Sequence, residues 1–164
     1  DADLQRISFK YHENGKGVAS GDLNGDGYMD LIGTNGSGEY LDPQGETITK
    51  GGPIFVWINP GGERSWINLR LEGGGSSEGG STNRDAIGAR IYVTADIDGK
   101  DDLVTQVSEV MASSSFLSMS SLDQHFGLGI ASKVDKVEVI WPSGVSQTIY
   151  DIPLNTTTLI AEPK

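Results

Sequence analysis

This sequence lacks the residues on which several kinds of protein chemistry depend. It contains no cysteine among its 164 residues, which excludes disulfides, thiol catalysis and thiolate metal sites. Only 12 Lys and Arg residues stand against 23 Asp and Glu, and the resulting net charge of −11 at pH 7 repels a nucleic-acid backbone. No apolar run approaches the roughly 18 residues of a membrane-spanning helix. We therefore predict neither nucleic-acid binding nor membrane insertion.

Glycine and short alternating apolar runs are what the sequence has in abundance. The 23 glycines cluster between stretches in which apolar and polar residues alternate, the pattern of strands joined by tight turns. Predicted strands lie at 7–11, 18–20, 31–34, 54–58, 66–71, 89–95, 103–107, 136–141, 147–150 and 157–160, and a short helix at 118–124. These elements predict an all-β fold, an antiparallel β-sandwich or barrel. A turn at Asn59–Gly62 separates two predicted parts. Residues 1–60 form a small β-unit, which packs on the β-domain of residues 61–164.

One acidic loop carries the clearest chemical signal. Between the second and third predicted strands, oxygen-bearing side chains recur at every second residue, with glycines between them. Ca²⁺ takes six to eight oxygen ligands at about 2.3–2.6 Å, so such a loop suits it. The predicted ligands are the side chains of Asp22, Asn24, Asp26 and Asp30 and the backbone carbonyl of Tyr28. An EF-hand is excluded because Gly33 occupies the position of its bidentate Glu, and the alternative is a hydrated Asx turn.

Other polar segments leave two interpretations open. The segment Asp96–Asp102 is either a second calcium site or a solvated hairpin tip, and Asn83–Asp85 either contacts a ligand or pins its own loop. His125 either packs with one ring nitrogen bonded to the backbone or serves as a ligand or catalytic group. The only other histidine is His12, and no Ser/His/Asp arrangement can be argued from the sequence. We therefore predict that the protein is not an enzyme.

An exposed set of aromatic, amide and guanidinium side chains is the candidate ligand surface. It consists of the outward-facing residues of two predicted strands, Trp66, Asn68, Arg70, Arg90 and Tyr92. If these strands are neighbours, the set shares one sheet face that suits a sugar. Sugar rings stack their C–H faces on aromatic side chains, and Arg binds the hydroxyl or anionic groups of a glycan. The alternative is that this face packs against the N-terminal unit, with the arginines neutralising acidic neighbours. Trp57 and Trp141, within or at the end of apolar strands, are predicted to lie in the core.

Two parts of the sequence resemble known families. The segment Val18–Ile32 resembles an FG-GAP/VCBS repeat, the calcium-loop β-unit that forms propeller blades in integrin α-chains and many secreted bacterial proteins. The motifs at 83–90, 125–129 and 141–144, in that order, resemble the ASPIC/UnbV domain, which follows FG-GAP repeats in the cartilage acidic protein-like family. The resemblance implies that residues 22, 24, 26, 28 and 30 match the repeat's ligand positions. It implies an architecture more than an activity.

Together these observations predict a calcium-stabilised extracellular β-module without catalytic activity. Ca²⁺ is the expected cofactor, and a secreted chain without disulfides could use it as its crosslink. The expected partner is a glycan or polysaccharide, and the alternative is a protein bound in cell adhesion. A polysaccharide-active enzyme is the third possibility, because carboxylates are plentiful. We expect the protein to be secreted or at the cell surface, in a bacterium.

Overall fold

The computed structural model describes residues 15–41, 44–75 and 82–164, and these form twelve strands. The predicted strand at 7–11 and His12 lie outside the described residues. The strands are β1 (Gly15–Gly21), β2 (Asp30–Asn35), β3 (Gly38–Leu41), β4 (Thr47–Lys50), β5 (Ile54–Trp57), β6 (Ser65–Glu72), β7 (Arg90–Ala95), β8 (Val104–Glu109), β9 (Gln124–Gly129), β10 (Lys136–Ile140), β11 (Ser146–Ile149) and β12 (Thr157–Ala161). The described part of the chain contains no helix, so the all-β prediction is confirmed.

The strands form three sheets and one hairpin. The N-terminal sheet has the order β1-β2-β5, the middle sheet β12-β6-β9 and the far sheet β11-β10-β7-β8, while β3 and β4 pair as a hairpin. All pairings are antiparallel except that of β12 with β6. None of these sheets closes on itself within the described residues, so of the two predicted arrangements the sandwich is the one observed.

The hydrophobic core lies between the middle and far sheets. Alternation along β6 directs Ile67, Leu69 and Leu71 into it, and these residues expose 2 % of their surface or less. The inward residues of β7 and β10, Ile91 and Val93 among them, belong to the same buried cluster. Trp141 is buried in this cluster, as predicted. The period-two pattern in the sequence therefore identified the core side of these strands correctly.

The N-terminal sheet has no core of its own. No hydrophobic side chain of β1, β2 or β5 is buried. Trp57, predicted to be core, is 42 % exposed, because β5 lies at the edge of a sheet whose face is uncovered; that prediction was wrong. A three-stranded sheet without a buried apolar face is not stable alone, so this unit depends on its contacts with the sandwich.

Two further elements differ from the sequence-based expectation. The predicted helix at 118–124 is wrong: the segment is an irregular, serine-rich stretch that begins with a bridge between Ser115 and Ser118 and leads into β9. The connection between residues 35 and 53, in which the sequence analysis placed no strand, contains the β3–β4 hairpin. Nowhere in the described ranges does a helix have the length and apolar character needed to span a membrane.

Candidate functional site: the acidic loop and its contacts

The acidic loop joins β1 to β2 and is curled by bonds from its own backbone. The carboxylate of Asp22 accepts hydrogen bonds from the N–H groups of Gly25 (2.7 Å), Asp26 (3.1 Å) and Gly27 (2.8 Å). Gly25 and Gly27 have φ angles of +78° and +86°, which residues with a Cβ rarely adopt. The alternation of acidic residues and glycines thus produces a tight loop around one carboxylate.

The other acidic side chains fasten the loop at both ends. Asp26 accepts bonds from the N–H of Tyr28 and from the side-chain amide of Asn24, each at 2.8 Å. Asp30 is 1 % exposed, and its two oxygens accept the N–H groups of Leu23 (2.8 Å) and Asn59 (2.7 Å). Asp30 therefore connects the loop to the segment that follows β5. The sequence did not reveal that Asn59 is its partner there.

The donor chemistry of the loop fits a hard cation such as Ca²⁺. It offers three carboxylates, one amide oxygen and one backbone carbonyl, and no nitrogen or sulfur ligand. A carboxylate that accepts N–H bonds keeps further lone pairs for a metal. In the described ranges, however, no three His, Cys, Asp or Glu side chains form a group that could hold a metal ion. Calcium binding therefore stays a prediction.

The tip of the loop rests on the middle sheet. Gly27 is buried, and a Cβ at this position would overlap the indole of Trp66. The Nε2–H of His125 donates a hydrogen bond to the carbonyl oxygen of Gly27 (2.9 Å), and the rings of Trp66 and His125 stack with centroids 6.0 Å apart. The interpretation of His125 as a packed residue bonded to backbone agrees with this geometry.

An open groove of about 630 Å³ lies beside the loop. Tyr28 and Trp66 supply its aromatic surface, and Asp26, Arg64 and Asn155 supply polar groups. The hydroxyl of Tyr28 is held by the backbone N–H (3.1 Å) and carbonyl (3.0 Å) of Arg64. Asn155 accepts the backbone N–H of Trp66 at 3.1 Å. Sequence reasoning missed Arg64 and Asn155, because nothing in the sequence indicates that residue 155 lies beside residue 66.

The predicted ligand face is not a single surface. Trp66, Asn68 and Arg70 lie on β6 of the middle sheet, whereas Arg90 and Tyr92 lie on β7 of the far sheet. Because the core separates these sheets, their outward residues point to opposite sides of the sandwich. The hypothesis of one shared face was wrong for that reason, although a binding role for each half stays a prediction.

The individual residues of that set have other contacts. Trp66 packs against the acidic loop, as the alternative interpretation expected, and Asn68 is only 8 % exposed. Arg70 pairs with Asp85 (3.5 Å) and Asp123 (3.4 Å). Arg90 pairs with Glu109 at 3.6 Å. These arginines thus neutralise acidic neighbours, which agrees with the packing alternative.

The two remaining polar segments form local structures. Asp96 accepts N–H bonds from Gly99, Lys100 and Asp101, and Lys100 pairs with Asp98 at 2.7 Å. Desolvation raises the pKa of Asp96, but the bonds from these backbone groups outweigh it and lower the pKa below its ordinary value of 3.8. This geometry favours a solvated hairpin tip over a second calcium site.

In the segment 83–85, the side chains do not form one cluster. The side-chain amide of Asn83 accepts a hydrogen bond from the N–H of Ile87 and donates one to the carbonyl oxygen of Ile87, each at 2.9 Å. Arg84 pairs with Glu72 at 3.4 Å and Asp85 with Arg70 at 3.5 Å. Asn83 therefore pins its own loop, while Arg84 and Asp85 attach that loop to β6.

A polar network near the C-terminus was not expected from the sequence. Glu162 accepts hydrogen bonds from the hydroxyl groups of Thr82 (2.6 Å) and Ser143 and from the N–H of Gly74 (2.9 Å). Partial burial raises the pKa of Glu162, but these three bonds outweigh it and lower the pKa below its ordinary value of 4.5. The network fastens the end of β12 to two distant loops.

Comparisons with known proteins match both parts of the chain. The family model described as ASPIC and UnbV matches residues 79–164, and the model described as FG-GAP repeat matches residues 14–47. The order of the two matches is the one that the sequence motifs predicted. A comparison with curated proteins gives no match.

Proposed function

This chain belongs to the ASPIC and UnbV family, and on that premise we propose that it is a non-catalytic, calcium-binding extracellular module that recognises a polysaccharide. FG-GAP repeats, one of which precedes the family's domain here, are typical of extracellular and cell-surface proteins. In this proposal the module acts outside a bacterial cell, secreted or attached to the surface. Its net charge of −11 suits a protein that gathers divalent cations there.

The observation that carries the proposal is the position of the acidic loop. The loop is the candidate calcium site and also a contact between the N-terminal sheet and the sandwich, through Gly27, Trp66 and His125. A bound Ca²⁺ would supply positive charge that offsets the repulsion between the loop carboxylates. Asp22, Asn24, Asp26, Asp30 and the carbonyl of Tyr28 would hold it, so ordering the loop orders the whole junction.

The groove beside the loop is the proposed polysaccharide site. Tyr28 and Trp66 form its aromatic part, and Asp26, one of the calcium-loop carboxylates, lines it as well. Arg64 is exposed in the groove and offers a planar set of donors for hydroxyl or anionic groups. A polysaccharide bound there contacts residues that the calcium loop positions, so we expect its binding to require calcium.

Affinity electrophoresis in gels containing different polysaccharides tests this proposal. We expect at least one polysaccharide to retard the protein in calcium and not after chelation. Arg64→Ala should weaken that binding about tenfold, since a hydrogen bond to a charged group is lost, and Trp66→Ala should abolish it. Arg84→Ala is the matched control, because Arg84 is also exposed but lies outside the groove.

Three outcomes would contradict the proposal. Binding that survives chelation would remove the role of calcium, and equal effects of Arg64→Ala and Arg84→Ala would place the site elsewhere. Turnover of any polysaccharide in the panel would show that the module is an enzyme.

A protein-binding adhesion module is the second candidate function, and the N-terminal sheet favours it. Register places Val18, Leu31, Phe55 and Trp57 on the sheet face opposite to Ile32, which lines a cavity on the sandwich side. Val18, Leu31 and Trp57 are 54 %, 46 % and 42 % exposed. A contiguous apolar patch of this kind is typical of protein interfaces.

Paired substitutions separate the two candidates. The double variant Leu31→Ser, Trp57→Ser should lose an extracellular protein partner and keep polysaccharide binding if adhesion is the function of this face. Tight protein binding together with no retardation by any polysaccharide would favour adhesion over carbohydrate recognition.

A further inference from the structure

A second cavity, of about 360 Å³, lies between the N-terminal sheet and the middle sheet. Its wall on the N-terminal side is largely apolar, with Leu23, Met29 and Ile32. Its wall on the sandwich side is polar, with Asn68 and Asp123. The volume is at the lower end of the range for small-molecule sites, which is about 300–1,000 Å³.

Asn68 is the feature that indicates a ligand. It lies in the middle of β6 on the outward face, opposite Thr157 of β12 and His125 of β9, and it exposes 8 % of its surface. In the described part of the chain, its Oδ1 is the one buried side-chain polar atom without a hydrogen-bond partner. Burying an acceptor without a partner is unfavourable, and a ligand that donates to it once the amide has turned about its Cβ–Cγ bond would relieve that penalty.

The polar groups around Asn68 define the chemistry of that ligand. The carboxylate of Asp123 and the Oδ1 of Asn68 accept hydrogen bonds, whereas the hydroxyl groups of Ser121 and Thr157 can both donate and accept. A sugar hydroxyl also donates and accepts, and the C–H groups of a sugar ring suit the apolar wall. Among the described residues no Lys or Arg lines the cavity, so no cationic side chain there would balance the charge of an anionic ligand.

We infer that this cavity binds a single neutral sugar ring, the terminal unit of a polysaccharide whose following units occupy the groove. The carbohydrate class of the ligand rests on the proposed function. Thr157 lines both the cavity and the groove, so the two sites adjoin. The cavity would then recognise the end of the polysaccharide, and the groove would bind the sugar units that follow it.

Titration of the full 164-residue protein in calcium with a panel of free monosaccharides tests this inference. Ligand-observed NMR and calorimetry should detect binding of one or more neutral hexoses or pentoses, and weaker binding of the matching uronic acids. Asn68→Leu should weaken binding about tenfold, because the ligand loses its partner. The same substitution removes an unpaired buried acceptor, so the melting temperature should stay equal or rise.

A second variant closes the cavity from the opposite wall. A Cβ at Gly21 meets no atom within 4 Å, and Gly21 lines the cavity, so Gly21→Val adds a branched side chain there from an open Cβ position. This variant should fold and bind no monosaccharide. Leu159→Ala is the control, since Leu159 is exposed on the middle sheet and does not line the cavity.

The outcomes distinguish this inference from the proposed function. If Asn68→Leu and Gly21→Val bind monosaccharides as the wild type does, the inference is wrong. Retardation by a polysaccharide with no binding of any monosaccharide would also overturn it, and would leave the groove as the polysaccharide site. If the wild type binds neither a monosaccharide nor a polysaccharide, both this inference and the proposed polysaccharide recognition are wrong.

Discussion

At the scale of single residues, Gly27 controls how the two parts of the molecule meet. It combines a positive φ of +86° with a position at which a Cβ would overlap the indole of Trp66. Its carbonyl oxygen is the acceptor for His125. Only glycine meets both requirements, because any other residue adds backbone strain and steric overlap at the same contact.

The pair Gly27→Ala and Gly25→Ala separates these two effects. Gly25 has a φ of +78° but open space where a Cβ would lie, so Gly25→Ala should cost about 1 kcal/mol of unfolding free energy from backbone strain alone. Gly27→Ala adds overpacking against Trp66 and should cost about 3 kcal/mol. Urea unfolding in calcium measures both values, and equal losses would show that Trp66 adjusts without penalty.

At the scale of elements, the serine-rich segment before β9 covers an otherwise open sheet edge. The N–H of Val18 donates to the hydroxyl of Ser118 (3.0 Å), and the N–H of Ser121 donates to the carbonyl of Ser20 (3.3 Å). An uncovered edge strand invites pairing with other chains. The segment therefore protects β1 and adds a second contact between the N-terminal sheet and the sandwich.

Gly17→Val tests this cover. A Cβ at Gly17 would overlap the backbone carbonyl of Leu117, so the larger side chain should displace the segment and speed amide hydrogen exchange at Val18. Gly15→Val in the same strand is the control, because its Cβ would meet only Asn35 at 3.6 Å. Unchanged exchange in Gly17→Val would mean that the segment does not protect the edge.

The acidic loop is the element on which the calcium proposal rests. Calcium at 100 times its dissociation constant should stabilise the protein by about 2.7 kcal/mol, which for this chain length raises the melting temperature by roughly 5–10 °C. Asp26→Ala should bring the melting temperature in calcium towards that of the chelated wild type. Asp98→Ala, in the other acidic turn, should leave the calcium effect intact. If chelation does not change wild-type melting, the loop is not a calcium site.

At the scale of the whole molecule, stability is distributed unevenly. The buried apolar cluster begins at Ile67, while the described residues before it depend on the loop contacts and on the covered edge. Glu162 fastens the other end of the chain to Gly74, Thr82 and Ser143. Polar contacts therefore fix the parts that lie outside the core.

The Glu162 network makes stability depend on pH. Because its pKa in the folded protein is lowered from 4.5, its contribution is complete above about pH 4.5 and is lost as the pH falls through the folded value. Glu162→Gln should lower the unfolding free energy by about 1 kcal/mol at pH 7, and the difference from wild type should shrink below pH 4.5. Urea unfolding from pH 3 to 7 measures this. Glu109→Gln, in a surface ion pair, is the control, and a difference that does not depend on pH would contradict the prediction.

Local patterns predicted the parts of the structure that local forces decide. Alternation placed Ile67, Leu69, Ile91 and Val93 in the core, and the spacing of acidic residues and glycines located the loop at 22–30. Side chains in a strand alternate between its two faces whatever sheet the strand joins. The β3–β4 hairpin was missed because each of its strands has only four residues, the shortest run in which alternation can be recognised.

The sequence by itself determined the all-β class, the inward side of the sandwich strands and the position of the acidic loop. Only the tertiary structure decided that β6 and β7 lie in different sheets, that Trp57 is exposed while Trp141 is buried, and that Asn68 lies buried without a partner for its Oδ1. The reason is that strands pair through backbone hydrogen bonds, which are nearly the same for every residue. Which sheets pack together, and which outward face becomes buried, therefore depends on contacts between residues far apart in the chain.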